Sequence, residues 1–137
     1  MTTDKYLKQI RRLNLIILNR AEEYENLMGA ATNMVAPTDS EPSGGGAKDK
    51  IGNLVVNYVD TQRYLSDIMA KRDKILRQIE NLSNETSYNI LFRYYVLEES
   101  YTELSRNLNY SKTHVARLHH KALDEFEHKY GVEYLKK

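Results

Sequence analysis

Two long stretches of this sequence place apolar residues on a helical seam, and a run of helix breakers separates them. From Asp4 to about Met34 the apolar positions are Tyr6, Ile10, Leu13, Ile17, Tyr24, Leu27 and Ala31, spaced mostly by four and three with one gap near Arg20 and Ala21. At 1.5 Å per residue such a helix extends about 45 Å, and nothing before Gly29 breaks it. The segment Ala36–Ala47 then holds both prolines and three of the six glycines of the chain. That composition predicts a flexible connector over about 35–48. A second seam begins near Asp49 with Ile51, Val55, Tyr58, Leu65, Ile68, Met69, Ile75, Ile79 and Leu82, and turns polar at Gln62 and Arg72. The expected fold is therefore all-α, with residues 1–82 forming a long antiparallel, coiled-coil-like helical hairpin whose polar interruptions set its register. A two-helix hairpin buries little surface, so pairing of the seams between two chains, a homodimer, is the alternative.

Beyond the turn signal Leu82-Ser83-Asn84 the elements shorten, and residues 83–137 form the second expected domain. Glu85 to Leu97 predicts a helix with Tyr88, Leu91, Tyr94 and Tyr95 toward one face. Ser100-Tyr101-Thr102-Glu103 is a capping box, in which the Ser100 hydroxyl accepts from the Glu103 N–H and the Glu103 carboxylate returns to the Ser100 N–H. A helix over about 101–108 follows, then Asn109 as a left-handed turn residue, then Ser111 as N-cap of a helix to about Lys129 that Gly131 terminates. A helix, a three-residue turn and a second helix have the spacing of a helix-turn-helix motif. Leu104 and Leu108 on the first helix and Val115 and Leu118 on the second stand where the two must pack, and Ser105 is small where they approach.

Charge sharpens this reading. The chain carries 20 Lys and Arg against 19 Asp and Glu, a net charge of +1. Yet from Ser111 to Lys121 there is no carboxylate, while Lys112, Arg117 and Lys121 are cationic. The second helix exposes Lys112, Thr113, Ala116, Arg117 and His120 on one side. A local basic face of this kind is a DNA footprint that the global balance conceals. The absence of cysteine removes disulfide scaffolds, thiol catalysis and Cys-containing zinc sites. No apolar run approaches the roughly 18 to 20 residues of a membrane span, and the first residues lack the apolar core of a secretory leader, so a cytoplasmic protein is expected.

The run from Tyr101 to Leu123 resembles region four of bacterial sigma factors, and Ile90-Leu91-Phe92-Arg93-Tyr94-Tyr95 is similar to the helix preceding it. The whole layout is similar to phage late-transcription regulators of the ArpU and RinA type, found in phages and prophages of Gram-positive bacteria. Tyr6 to Leu13, the Gly-rich connector and Val55 to Asp60 support the match. The resemblance implies a DNA-binding activator of phage or prophage late genes, acting with host RNA polymerase. Nothing resembles the sigma region that binds core polymerase and melts promoters, so a complete sigma factor is not implied. Carried onto this sequence, base contacts fall on Lys112, Thr113, Ala116 and Arg117, with Ser111, His114 and Lys121 near phosphates and His120 on the same side. Ala116 stands where an Arg is usual and Thr113 where a Glu is usual, which implies a target other than the ordinary −35 element. Ala116 and the Thr113 methyl suit thymine methyls, and Arg117 or Lys112 suits guanine O6 and N7.

The remaining features have plainer readings. His120, Asp124 and His128 share a helical face, but without a second ligand-rich segment the four histidines are expected to be solvated or near phosphates, and no metal or other cofactor is expected. Tyr94, Tyr95 and Tyr101 are expected to be half-buried with wet hydroxyls, and Tyr110 to touch the DNA backbone. Lys8, Arg11, Arg12 and Arg20 are expected to be a solvated coiled-coil flank, with a second DNA or polymerase contact as the alternative. Glu22-Glu23 and Glu98-Glu99 lie in surface sequence, and no catalytic constellation is visible. Two rival functions remain: a small-terminase-like DNA-packaging protein, and a polymerase-docking module that makes no base contacts.

Overall fold

The computed structural model describes residues 1–35 and 46–135, with side chains described for all of these except 31–35, 46–51, 54 and 55. It comprises α1 (Thr3–Val35), α2 (Gly46–Glu80), α3 (Glu85–Leu91) leading into a π-helical turn (Phe92–Val96), α4 (Tyr101–Leu108) and α5 (Lys112–Tyr134). No strand occurs among the described residues, and no helix there is long and apolar enough to cross a membrane. The all-α class agrees with the seams. The connector expected over 35–48 lies for the most part outside the described residues.

The chain forms two compact units: Met1–Asn14 with Lys71–Lys137, and Leu15–Ala70. This partition differs from the expected one at 82/83. Its cause is that the first turns of α1 and the last turns of α2 are built into the core of the C-terminal helices. Leu7, Ile10 and Ile79 are fully buried, and they share one cluster with Leu91, Tyr95, Ala122, Phe126 and Tyr134. Tyr6 stacks on Tyr134 at 4.2 Å between ring centroids and donates its hydroxyl to Gln78 Oε1 at 2.6 Å. Each large apolar side chain so removed from water contributes about 1.5–3 kcal/mol, so this shared core outweighs the breaks in sequence between its elements.

Local chemistry places the short helices. Asn84 caps α3, its Oδ1 accepting from the N–H groups of Thr86 (2.9 Å) and Ser87 (3.1 Å). The helix expected from Glu85 to Leu97 has that extent, but its last turn widens, with Leu97 N–H donating to Phe92 O at 3.1 Å. The widened turn lets Ile90, Leu91, Tyr95 and Val96 all be buried. Glu98, in the left-handed region with φ 58°, ends it. At the other end of the chain, Gly131 does not terminate α5, which runs to Tyr134. Gly131 is buried there, and a Cβ would stand 2.9 Å from Leu135 Cδ1 and 3.1 Å from Glu127 Cγ. Burial of Tyr134 carries the helix past the glycine.

In the Leu15–Ala70 unit the described side chains include aromatic contacts between α1 and α2. The Arg20 guanidinium lies over the Tyr64 ring at 4.5 Å. Tyr24 stacks on Tyr58 at 4.3 Å, with their hydroxyls hydrogen-bonded. Among its described side chains Ile68 is the buried apolar one, whereas Met69, expected in the seam, is exposed, as are Leu15 and Leu18. Within the other unit the polar interruption at Arg72 takes a specific partner, its Nε donating to Asn14 Oδ1 at 2.6 Å.

Because the start of α1 is core, Leu7→Ala should lower the unfolding free energy by about 2–5 kcal/mol. Urea denaturation measures it, and a loss below about 1 kcal/mol would contradict the shared core.

Candidate nucleic-acid interface

α4 begins at Ser100, whose hydroxyl accepts from the Glu103 N–H at 3.2 Å. The Glu103 carboxylate accepts from the Ser100 hydroxyl at 3.4 Å instead of from the Ser100 N–H. Asn109 ends the helix at φ 58° and ψ 39°, the left-handed turn that its residue type favours. The Tyr110 N–H donates to Ser105 O at 3.2 Å, and the Ser105 hydroxyl donates to Tyr110 O, so the small residue at 105 both admits and fastens the turn. Ser111 caps α5, accepting from the His114 N–H at 3.1 Å. Leu104 and Val115 are fully buried between the helices, with Leu108 and Leu118 half-buried beside them.

This packing turns the predicted contact residues outward together. Ser111, Lys112, Thr113, Arg117, His120 and Lys121 are exposed, and His114 and Ala116 are half-buried at the margin of the same surface. Tyr110 is exposed and meets His114 edge to face at 4.7 Å. Among the described residues, Lys112, Arg117 and Lys121 enter no ion pair. The first turn of α5 holds no acidic residue, so the positive end of its dipole is not neutralised from within the helix. Farther along, Lys121 and His128 border an open groove of about 730 Å³ with Leu82, Asn84, Asp124 and Glu125. Among the described residues no three His, Asp or Glu side chains are grouped to hold a metal ion.

The opposite face of α5 carries a polar device that the sequence reading assigned wrongly. His119, expected to be solvated or near phosphate, is buried. The hydroxyl of Tyr95, expected to be wet, is 2.7 Å from Asp4 Oδ1, to which it donates, and 2.8 Å from His119 Nε2. With its proton given to Asp4, the Tyr95 oxygen accepts from Nε2–H, and Nδ1 therefore accepts from the Tyr101 hydroxyl, to which it is hydrogen-bonded. Every group in this relay is satisfied by a neutral imidazole. Burial pushes the His119 pKa down to about 4; the Asp4 carboxylate opposes the shift, and the charges of His120, Lys8 and Arg11 add to it. Burial acts to raise the Asp4 carboxyl, but the Tyr95 hydrogen bond and the Lys8 ammonium at 3.0 Å outweigh it and leave it below the usual carboxylate range. Burial, then the Asp4 charge, pushes the Tyr95 phenol far up.

Two other expectations change. Arg11 is no solvated flank: it donates to Tyr94 O at 2.8 Å and lies over the Tyr94 ring at 4.6 Å. Glu99 is half-buried, accepting from Arg93 at 3.0 Å and Asn107 at 2.9 Å. A signal for His119 was present, since Val115, His119, Ala122 and Phe126 follow one another at helical spacing on the buried stripe. No protein-family model, curated protein or solved structure matches the chain.

The relay makes a pH prediction with a definite sign. The unfolded chain takes up a proton on His119 near its ordinary 6.5, the folded chain only near 4. Its contribution to stability is complete above about 6.5 and is lost as pH falls toward 4. Asp4 acts in a lower window, its contribution present above its ordinary 3.8 and lost as pH falls through its depressed folded value. The urea midpoint of the wild type should therefore fall between pH 6.5 and 4 more steeply than that of His119→Gln. Equal slopes would mean that His119 is not held neutral.

Proposed function

We propose that this chain binds double-stranded DNA in a sequence-selective manner through α5 and regulates transcription, as the likeness to sigma region four and to phage late-gene regulators implies. The observation that carries the reading is an exposed face with three unpaired cations at the acid-free start of a helix, presented by a tight left-handed turn. Such a face suits the major groove, with the helix N-terminus and Ser111 toward phosphate and longer side chains toward base edges. Arg117 is the principal candidate for bidentate contact with guanine, and Ala116 and Thr113 supply apolar contacts to thymine methyls. Lys112 joins the base-reading set, and His114, His120 and Lys121 line the phosphates around it.

In this reading α1 and α2 form an antiparallel arm, an arrangement supported by the contacts of Arg20 with Tyr64 and Tyr24 with Tyr58, whose numbers fall on one helix as they rise on the other. Host RNA polymerase is the proposed protein partner. The exposure of Leu15 (59%), Leu18 (68%) and Met69 (46%) favours self-association through the arm. The mass in solution separates the regulator from its rival: a dimer or monomer suits it, and a large ring suits a small-terminase-like packaging protein.

Fragments of the encoding genome, mixed with the purified protein and unrelated competitor DNA, test the reading. One or a few fragments should be retained. On a retained fragment, Arg117→Ala should cost about 1–3 kcal/mol and relax the preference at one base, whereas Lys121→Ala should weaken all sequences alike. Retention of no fragment, or affinities untouched by both changes, would contradict base reading through α5.

A further inference from the structure

Three cations of α1 that no seam uses share one exposed face near its start. Lys5, Lys8 and Arg12 stand three and four residues apart on one exposed stripe of α1. Lys5 and Arg12 enter no ion pair among the described residues. One edge of the stripe is fixed to α5. Lys8 holds Asp4, Asp4 accepts from Tyr95, and Tyr95 meets His119, whose ring centroid is 6.0 Å from that of exposed His120. Thr3 is tied farther along α5, its hydroxyl 2.8 Å from the Tyr134 hydroxyl and 3.3 Å from Glu127 Oε2. At the same edge Arg11 covers Tyr94, whose ring lies 5.5 Å from that of Tyr101 in the first turn of α4.

Through Lys8 the basic stripe therefore reaches toward His119 and the exposed His120 beside it. Of the carboxylates tied to the start of α1, Asp4 is paired with Lys8, Glu127 accepts from Thr3, and Glu133, near Tyr6 on the core side, is held by Gln78 and Lys74. The unpaired excess along α1 is positive. From Lys5 to Arg12 the helix advances about 10 Å, the axial rise of roughly three phosphates on one strand of a duplex. The stripe offers long flexible cations and no planar amide or aromatic group suited to base edges, which fits it to phosphate and not to sequence.

We propose that the Lys5–Lys8–Arg12 stripe of α1 is a second phosphate-binding track, taking the backbone of duplex DNA beside the stretch that α5 contacts. The proposal rests on the DNA-binding reading and extends it to an element more than ninety residues away in sequence. It gives the buried relay a further role, since the Asp4–Tyr95–His119 bonds hold the two basic surfaces in register.

The test uses the full chain and a mixed-sequence duplex of about 40 base pairs, for which phosphate contacts supply essentially all the affinity. Binding is titrated from about 50 to 200 mM salt for the wild type, for Lys5→Gln/Arg12→Gln, and for the charge-keeping pair Lys5→Arg/Arg12→Lys. The slope of log affinity against log salt should fall by about 2 in the glutamine variant, so that its affinity changes roughly tenfold less across that range. The charge-keeping variant should retain the wild-type slope. Both changes are on exposed side chains, and equal unfolding midpoints check that the fold is intact. An unchanged slope in the glutamine variant, with the wild type binding normally, overturns the second track and leaves the α5 reading standing. Failure of the wild type to bind the duplex at any of these salt concentrations overturns both.

Discussion

The neutral His119 side chain is the constraint on which the C-terminal unit depends. Four elements join in its relay: α5 supplies the imidazole, α4 the Tyr101 hydroxyl, the π-helical turn Tyr95, and α1 Asp4, which accepts from Tyr95. Tyr95 and His119 are buried, and each of their polar groups would cost about 1–3 kcal/mol if left unpaired. All are paired, with the proton on Nε2 and Nδ1 accepting. A relay of this kind penalises any shift of one helix past another, because sliding would break two hydrogen bonds at once. The surrounding apolar contacts supply the bulk of the stability, and the relay supplies the geometry.

The consequence for function lies in the two faces of α5. Its inner stripe, Val115, His119, Ala122 and Phe126, is locked to three other elements. On its outer face Lys112, Arg117 and Lys121 enter no ion pair among the described residues. The turn at Asn109 fixes the start of α5 against α4, and the bond from Tyr101 to His119 fixes it again two turns on. The outward cations are thus presented from a rigid element held at two points, the condition under which side chains find base edges without a large ordering cost.

Much of this architecture was legible in the sequence because it rests on local chemistry. Ser100, Asn109 and Ser111 act through their own backbone neighbourhoods, and the structure places them as caps and turn residue as expected. The outward placement of Lys112, Thr113, Arg117, His120 and Lys121 follows from the same helical period that buries Val115. What the sequence concealed was long-range. Asp4 and His119 look like ordinary surface residues until α1 is packed on α5, and no local pattern announces a partner more than a hundred positions away. The same blindness made Arg11 look like a solvated flank and put a domain boundary at Leu82. Gly131 misled for a different reason. A glycine near a helix end is a stop signal by propensity, and here burial of Tyr134 and the close approach of Leu135 override it.

α5 thus keeps one face in the core and offers the other, in the proposed function, to DNA. The most direct measurement is a residue-by-residue map of amide resonances in the folded protein as a mixed-sequence duplex is added. The changes should concentrate on Ser111 to Lys121, the adjoining turn and the Lys5–Arg12 stripe, while Val132 stays unperturbed. Changes centred instead on Leu15 to Ala70, or none on α5 at saturating DNA, would contradict this assignment.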